Sequence, residues 1–229
     1  MRTVETKTEV RIKTLKANQY FDDLPENLLE EISEHMHLRV YPRGHVLFWE
    51  GDPCDGLCIL EQGSAKIFRL SPQGRQYIVR ILQEGDTFEE VPAFDGAMNP
   101  VNVEALEICR VWVIESETLR GLVRAYPQFA EKVLINFGRM LRGMVRVVSE
   151  MAFYQVTHRL ARLIEEDLPQ EKNTPQWTQE QLAARLGTVR EVVARSLKEL
   201  ERSGAIKIED RRILVADREI FKQWVQPKN

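Results

Sequence analysis

The sequence predicts an α+β chain: an N-terminal β-sandwich or jelly roll, one long helix, and a C-terminal helix-turn-helix followed by two short strands. Three patterns predict it. Short apolar or alternating runs recur between residues 46 and 114 with turn residues between them. From Ala130 to Tyr154, apolar residues return at intervals of 3 and 4. Near the C-terminus, Gly187 separates two short amphipathic segments.

The first element is a short helix over 24–36, where Leu24, Leu28, Ile32 and Met36 lie four apart and Pro25 stands early. The period then changes. Val46 to Phe48, Leu57 to Leu60, Ala65 to Leu70, Tyr77 to Leu82, Val101 to Leu106 and Ile108 to Ile114 read as strands. Turn signals such as Gly51-Asp52-Pro53, Asp55-Gly56 and Pro72-Gln73-Gly74 separate them.

After Pro127 the long helix carries Ala130, Val133, Phe137, Met140, Met144, Val147, Met151 and Tyr154 as an unbroken a/d seam, with Arg139, Arg142 and Arg146 off it. A helix packed only on its own domain would show a wider stripe at a period of about 3.6. The narrow seam points to a partner helix, most simply a second copy of the chain, with Val133, Phe137, Met140, Met144, Val147 and Met151 as the dimer seam. Gly138 and Gly143 weaken the helix by roughly 1 kcal/mol each, which a partner's packing offsets. A further helix follows over 156–168, and the domain boundary falls near Phe153-Tyr154-Gln155.

Residues 178–200 read TQEQLAARLGTVREVVARSLKEL. Thr178 is placed to cap a helix with Leu182, Ala183 and Leu186 on its core face, and Thr188 to cap a second helix with Val192, Val193, Leu197 and Leu200. In a helix-turn-helix the start of the second helix enters the major groove. Here that start offers Arg190, Glu191 and, one turn later, Arg195. An Arg can bridge O6 and N7 of guanine, and a Glu can accept from the cytosine amino group. An acid among bases suits base reading better than a purely electrostatic patch. Two strands over 206–209 and 213–215, around Asp210-Arg211-Arg212, read as a wing. The residues expected on the DNA are Thr178, Gln179, Thr188, Arg190, Glu191, Arg195, Lys198 and Arg211.

Composition bounds the class. The chain has 229 residues, 43% hydrophobic and 29% charged, as an ordinary globular protein of one large or two smaller domains would. It has no apolar run long enough to span a membrane and no secretory h-region near its start, so the cytoplasm is the expected location, with no membrane partner. Three cysteines are too few for a disulfide scaffold. The net charge of −3 hides an asymmetry: from residue 156 onward 14 Lys/Arg face 12 Asp/Glu, leaving 18 against 23 before it. Only the C-terminal part leans basic.

The order of jelly roll, long helix and winged helix-turn-helix resembles the CRP/FNR family of bacterial transcription regulators from about residue 18 onward. The matching residues are Gly85-Asp86 with Glu90, Val156 with Arg159-Leu160-Ala161, and Leu186-Gly187 followed by Arg190-Glu191 and Arg195. The resemblance implies a double-stranded β-helix (jelly-roll) sensor domain over 18–126, a dimerisation helix over 127–154 and a winged helix-turn-helix over 155–229. It further implies a homodimer on double-stranded DNA, palindromic TGTGA-like half-sites read by Arg190, Glu191 and Arg195, and RNA polymerase as partner if the protein activates transcription. It implies no enzymatic activity.

The sensor cradle departs from the family's cyclic-AMP branch. There a Gly-Glu pair precedes an Arg-Ser pair; the Glu holds the ribose, and the Arg with backbone N–H groups holds the cyclic phosphate. Glu90 matches the ribose acid, but Glu89 replaces the glycine and, allowing one residue of shortening, Asn99-Pro100 replaces Arg-Ser. The adenine contacts fall near Met144 and Val145, both apolar. Glu89, Glu90, Asn99, Pro100, Val101, Met144 and Val145 thus form a candidate pocket from which cyclic AMP is not expected to draw a response. No Cys precedes Cys54, which argues against the iron–sulfur cluster of oxygen-sensing relatives. Cys54 and Cys58 are candidates for a thiol switch, and His35, His37 and His45 for haem ligation. A cupin-type metalloenzyme is the rival from another class, but its H-x-H pair would have to be His35 and His37 at the end of a helix, where i and i+2 diverge. No metal site is expected.

Overall fold

Alternating apolar residues in the N-terminal half build two sheets that bury both of their inner surfaces. The computed structural model describes residues 2–4, 7–167, 177–209 and 212–226. Its strands here are β1 (Arg2–Val4), β2 (Met36–Tyr41), β3 (Val46–Phe48), β4 (Gly56–Gln62), β5 (Ala65–Leu70), β6 (Gln76–Leu82), β7 (Thr87–Phe88), β8 (Asn102–Ala105) and β9 (Cys109–Glu115). One sheet runs β1-β2-β9-β4-β7 and the other β3-β8-β5-β6. Antiparallel ladders join β9 to β2 and β4, and β8 to β3 and β5.

The period of two sorts each strand between two cores. On β9, Cys109, Val111 and Val113 point into the space between the sheets, where Leu60, Leu82, Phe88 and Val103 meet them. Trp112 and Ile114 point the other way, into a second core. On β4, Cys58 and Leu60 take the first side and Leu57 and Ile59 the second. Gly56 is required at the start of β4, because a Cβ there would lie 1.9 Å from the Ile114 carbonyl oxygen.

Helices α1 (Thr8–Lys16), α2 (Glu26–Glu34), α4 (Ser116–Ala125) and the start of α5 (Pro127–Phe153) cover the second core, and the short α3 (Glu90–Asp95) lies between β7 and β8. The sequence extends the first predicted helix to Met36. In the structure it stops at Glu34, and Met36 opens β2 opposite Ile114 of β9. Met36 is buried under either assignment, so its spacing from Ile32 does not separate the two. The amphipathic α4 has no counterpart in the sequence expectation.

The C-terminal part holds α6 (Val156–Asp167), α7 (Gln179–Leu186), α8 (Arg190–Arg202), β10 (Ile206–Glu209), β11 (Arg212–Val215) and α9 (Arg218–Val225). Its core gathers Leu160, Leu182, Leu186, Val193, Leu197, Leu200 and Phe221. By its contacts the chain forms two compact units, Met1–Arg69 with Val79–Leu141 and Leu70–Ile78 with Arg142–Asn229. Among the described residues, no helix is long and apolar enough to cross a membrane. The α+β class, with a jelly roll, a long helix and a helix-turn-helix, is the one observed.

Candidate functional site

In the C-terminal unit, local chemistry sets the approach to α8. Thr178 Oγ1 accepts from the Gln181 backbone N–H at 3.2 Å, and Gln181 Oε1 accepts from the Thr178 N–H at 2.8 Å, a complete capping box for α7. Gly187 ends α7 at φ 63, a left-handed turn suited to glycine. The cap of α8 differs from the expectation: Val189, not Thr188, is the N-cap, and no side chain caps the helix. The turn needs one residue more than the sequence suggests, because the Thr188 N–H still bonds back to the Ala183 carbonyl.

Val193, Leu197 and Leu200 anchor α8, and the Thr157 hydroxyl of α6 ties to Ser196 and Glu199 on it. The outer face is left to Arg190, Glu191, Arg195 and Lys198, all exposed, with Glu191, Arg195 and Lys198 at i, i+4 and i+7 on one side. Arg190 Nε lies 3.2 Å from Glu180 Oε1 and 3.4 Å from Gln179 Oε1, so α7 steadies it. β10 and β11 pair antiparallel, as a wing does. Arg211 lies outside the described residues.

The long helix corrects the predicted seam. Val133 is buried in the chain's own second core, and Phe137 packs there edge-on to Phe94 with ring centroids 5.8 Å apart. Val133 is thus withdrawn from the surface, and Phe137 is half-buried. The exposed row sits one residue further on: Leu134, Leu141, Val145 and Val148, with Gly138 between the first two. In the later turns Met144, Val147 and Met151 are exposed as well, while Met140 is half-buried. Periodicity revealed the spacing but not which row the chain's own core claims.

The sensor cradle is a pocket of about 50 Å³ inside the first unit. Glu89 and Asn99 line it, joined by residues that sequence reasoning did not place there, Arg39 and Tyr41 of β2 and Phe48 of β3. Arg39 and Tyr41 alternate on one strand, a signal that points to a shared face without saying what that face meets. Pro100 and Val101 are not in the pocket's lining, and Met144 and Val145 are exposed on α5. Glu90 is buried outside the lining, where its Oε1 accepts from Thr87 Oγ1 at 2.6 Å.

Glu89 caps α3 at φ 64, and among the described residues it is the one non-glycine residue with positive φ. Its carboxyl is buried, and one oxygen, Oε2, has no hydrogen-bond partner in the protein. Burial pushes its pKa up to about 8, with the neighbouring Glu90 adding to the rise and the Cys54 thiol opposing it. Asn99 is clasped through its backbone by the Gly51 N–H at 2.8 Å and the Asp52 carbonyl at 2.9 Å, yet its buried Oδ1 also lacks a donor. Arg39, the one cation in the lining, pairs with Asp55 at 2.7 Å. Cys54 and Cys58 line the same pocket as thiols: burial and then Glu89 raise both, to about 11 for Cys54. Among the described residues, no group of His, Cys, Asp and Glu is placed to hold a metal ion.

A jelly roll with a pocket, joined through a long helix to a helix-turn-helix that exposes Arg190, Glu191, Arg195 and Lys198, is the architecture of a DNA-binding transcription regulator. Known proteins say the same. Residues 38–126 match the family model of the cyclic nucleotide-binding domain, and residues 155–224 that of the Crp-like helix-turn-helix domain. The chain is 28% identical over 207 residues to the CRP-like cAMP-activated global transcriptional regulator of Mycobacterium tuberculosis, covering 87% of this chain and 92% of that one. It is 27% identical over 195 residues to the cAMP-activated global transcriptional regulator CRP of Pasteurella multocida, covering 82% and 93%. Among solved structures, the c-di-GMP responsive global regulator CLP of Xanthomonas campestris shares the fold, with a TM-score of 0.70, 21% identity and coverage of 84% and 100%. The chain belongs to the CRP/FNR family of transcription regulators.

Proposed function

We propose that the protein is a homodimeric, sequence-specific regulator, most simply an activator, that reads palindromic TGTGA-like half-sites and answers to a signal other than cyclic AMP, or to none. The observation that carries the DNA reading is the exposed row on α8. Arg190 and Arg195 are assigned to guanines and Glu191 to a cytosine, with Thr178, Gln179, Thr188, Lys198 and the wing residue Arg211 on the same DNA face. A homodimer is supported by the apolar row Leu134, Leu141, Val145 and Val148, which one chain leaves in water. Two recognition helices must then lie about 34 Å apart along the DNA. Contact with RNA polymerase follows only for an activator.

The departure from cyclic AMP is supported by the charges that line the pocket. Its one cation is already paired with Asp55, and Glu89 adds no positive charge that would hold an anion. A thiol switch gains little support, since raised thiol pKa values leave few thiolates at neutral pH. The second reading is a cyclic-AMP-dependent regulator, favoured by the names of the Mycobacterium and Pasteurella relatives and by the retained Glu90. Selection of bound sequences from random DNA, with and without cyclic AMP, decides between them. We expect TGTGA-like palindromes under both conditions; recovery only with cyclic AMP establishes the second reading.

A further inference from the structure

Two observations in the sensor pocket point the same way without depending on each other. The first is its unmet hydrogen bonding. Glu89 Oε2 and Asn99 Oδ1 are buried, belong to residues 7% and 2% exposed, and have no donor in the protein. Buried polar atoms are rarely left so. An amide oxygen can only accept, and the Glu89 carboxyl accepts through both oxygens once it gives up its proton. The partner these atoms fit is therefore a donor, whereas a cyclic phosphate offers acceptors.

The second is charge and size. The acidic and basic groups facing the space are Glu89, Asp55 and Arg39, the last two paired with each other and Glu89 ionising as a cation enters, and Cys54, Cys58 and Tyr41 face it as neutral groups. Glu90 adds a nearby negative charge from α3. The cavity of about 50 Å³ is of a size that suits a small ligand. The aromatic side chains of Tyr41 and Phe48 line the same space, and a delocalised cation is attracted to ring faces.

Resting on the reading that this cradle is the effector pocket, we propose that it binds a small planar cation of the guanidinium or amidinium class, with Glu89 and Asn99 as its two acceptors. Binding such a cation draws the proton from the Glu89 carboxyl, so uptake of ligand is coupled to proton release at neutral pH. The retained Glu90 holds Thr87 rather than the ligand.

The test titrates the full chain calorimetrically with methylguanidinium chloride, ethylammonium chloride and cyclic AMP at constant ionic strength, in two buffers of different ionisation heat. Expected are saturable binding of methylguanidinium, weaker binding of ethylammonium and release of about one proton per site at pH near 7. The Glu89→Gln and Asn99→Leu variants should each weaken binding by about tenfold or more, and Glu89→Gln should abolish the proton release. Thermal melts confirm that both variants are folded. Absence of saturable methylguanidinium binding, with water alone filling the pocket, overturns the proposal, as does binding that neither variant alters. If methylguanidinium fails and cyclic AMP also fails, the ligand class is wrong and the DNA-reading proposal stands. Binding of cyclic AMP overturns both the cation and the departure from cyclic AMP.

Discussion

Glu89 carries a backbone that a Cβ resists and a carboxyl that water barely reaches. Its pKa of about 8 lies above the ordinary 4.5, so between those values the folded chain holds a proton that the unfolded chain has lost. The stabilising contribution is complete below about pH 4.5 and is lost as pH rises through 8, at up to roughly 1.4 kcal/mol per pH unit. Urea midpoints should fall accordingly between those limits, and the fall should vanish in Glu89→Gln; parallel profiles for the two proteins would refute the assignment. Glu89→Gly removes both the left-handed strain and the buried acid. It should raise stability by about 1–2 kcal/mol, read as a higher melting temperature. The oddity of Glu89 was legible in the sequence as an acid in place of a glycine. Its surroundings were not: Arg39 and Tyr41 come from a strand some fifty residues earlier, where they look like ordinary half-exposed positions.

At the scale of elements, α5 shows what periodicity can and cannot tell. The 3-and-4 spacing is real over the whole helix, but two adjacent rows satisfy it. Val133 and Phe137 are claimed by Phe94 and the core around it, and the next row is left in water. The rows therefore respond differently to charge. Val148→Glu should give folded monomers in sedimentation, with DNA binding weakened at least tenfold because two half-sites are no longer linked. Val133→Glu should instead unfold the jelly roll by about 3 kcal/mol or more, as an unpaired charge in a core does. A stable dimer of the Val148 variant would move the interface off this row. The capping box of α7 is half legible in the sequence: Thr178 stands where a cap is expected, while the reciprocal bond from Gln181 depends on its side-chain conformation. Helices α4 and α9 went unread, since each is a short amphipathic segment beside stronger strand signals.

For the whole molecule, charge separates affinity from selectivity. A chain of net charge −3 offers DNA few cations beyond those of the α8 face and the wing. Lys198→Ala should lower the dependence of log affinity on log salt by about 1 per subunit and weaken all sequences alike. Glu191→Ala should leave that slope unchanged and relax preference at one position of each half-site by about 1–3 kcal/mol. Equal losses on matched and mismatched sites would remove Glu191 from base reading. The jelly roll's construction has another consequence. Because β4 and β9 each send alternate side chains into two separate cores, neither core can loosen without stripping one face of the same two strands. Deuterium should therefore enter the amides of residues 111–114 only as fast as the entire roll opens, and sooner at the rim than at the centre.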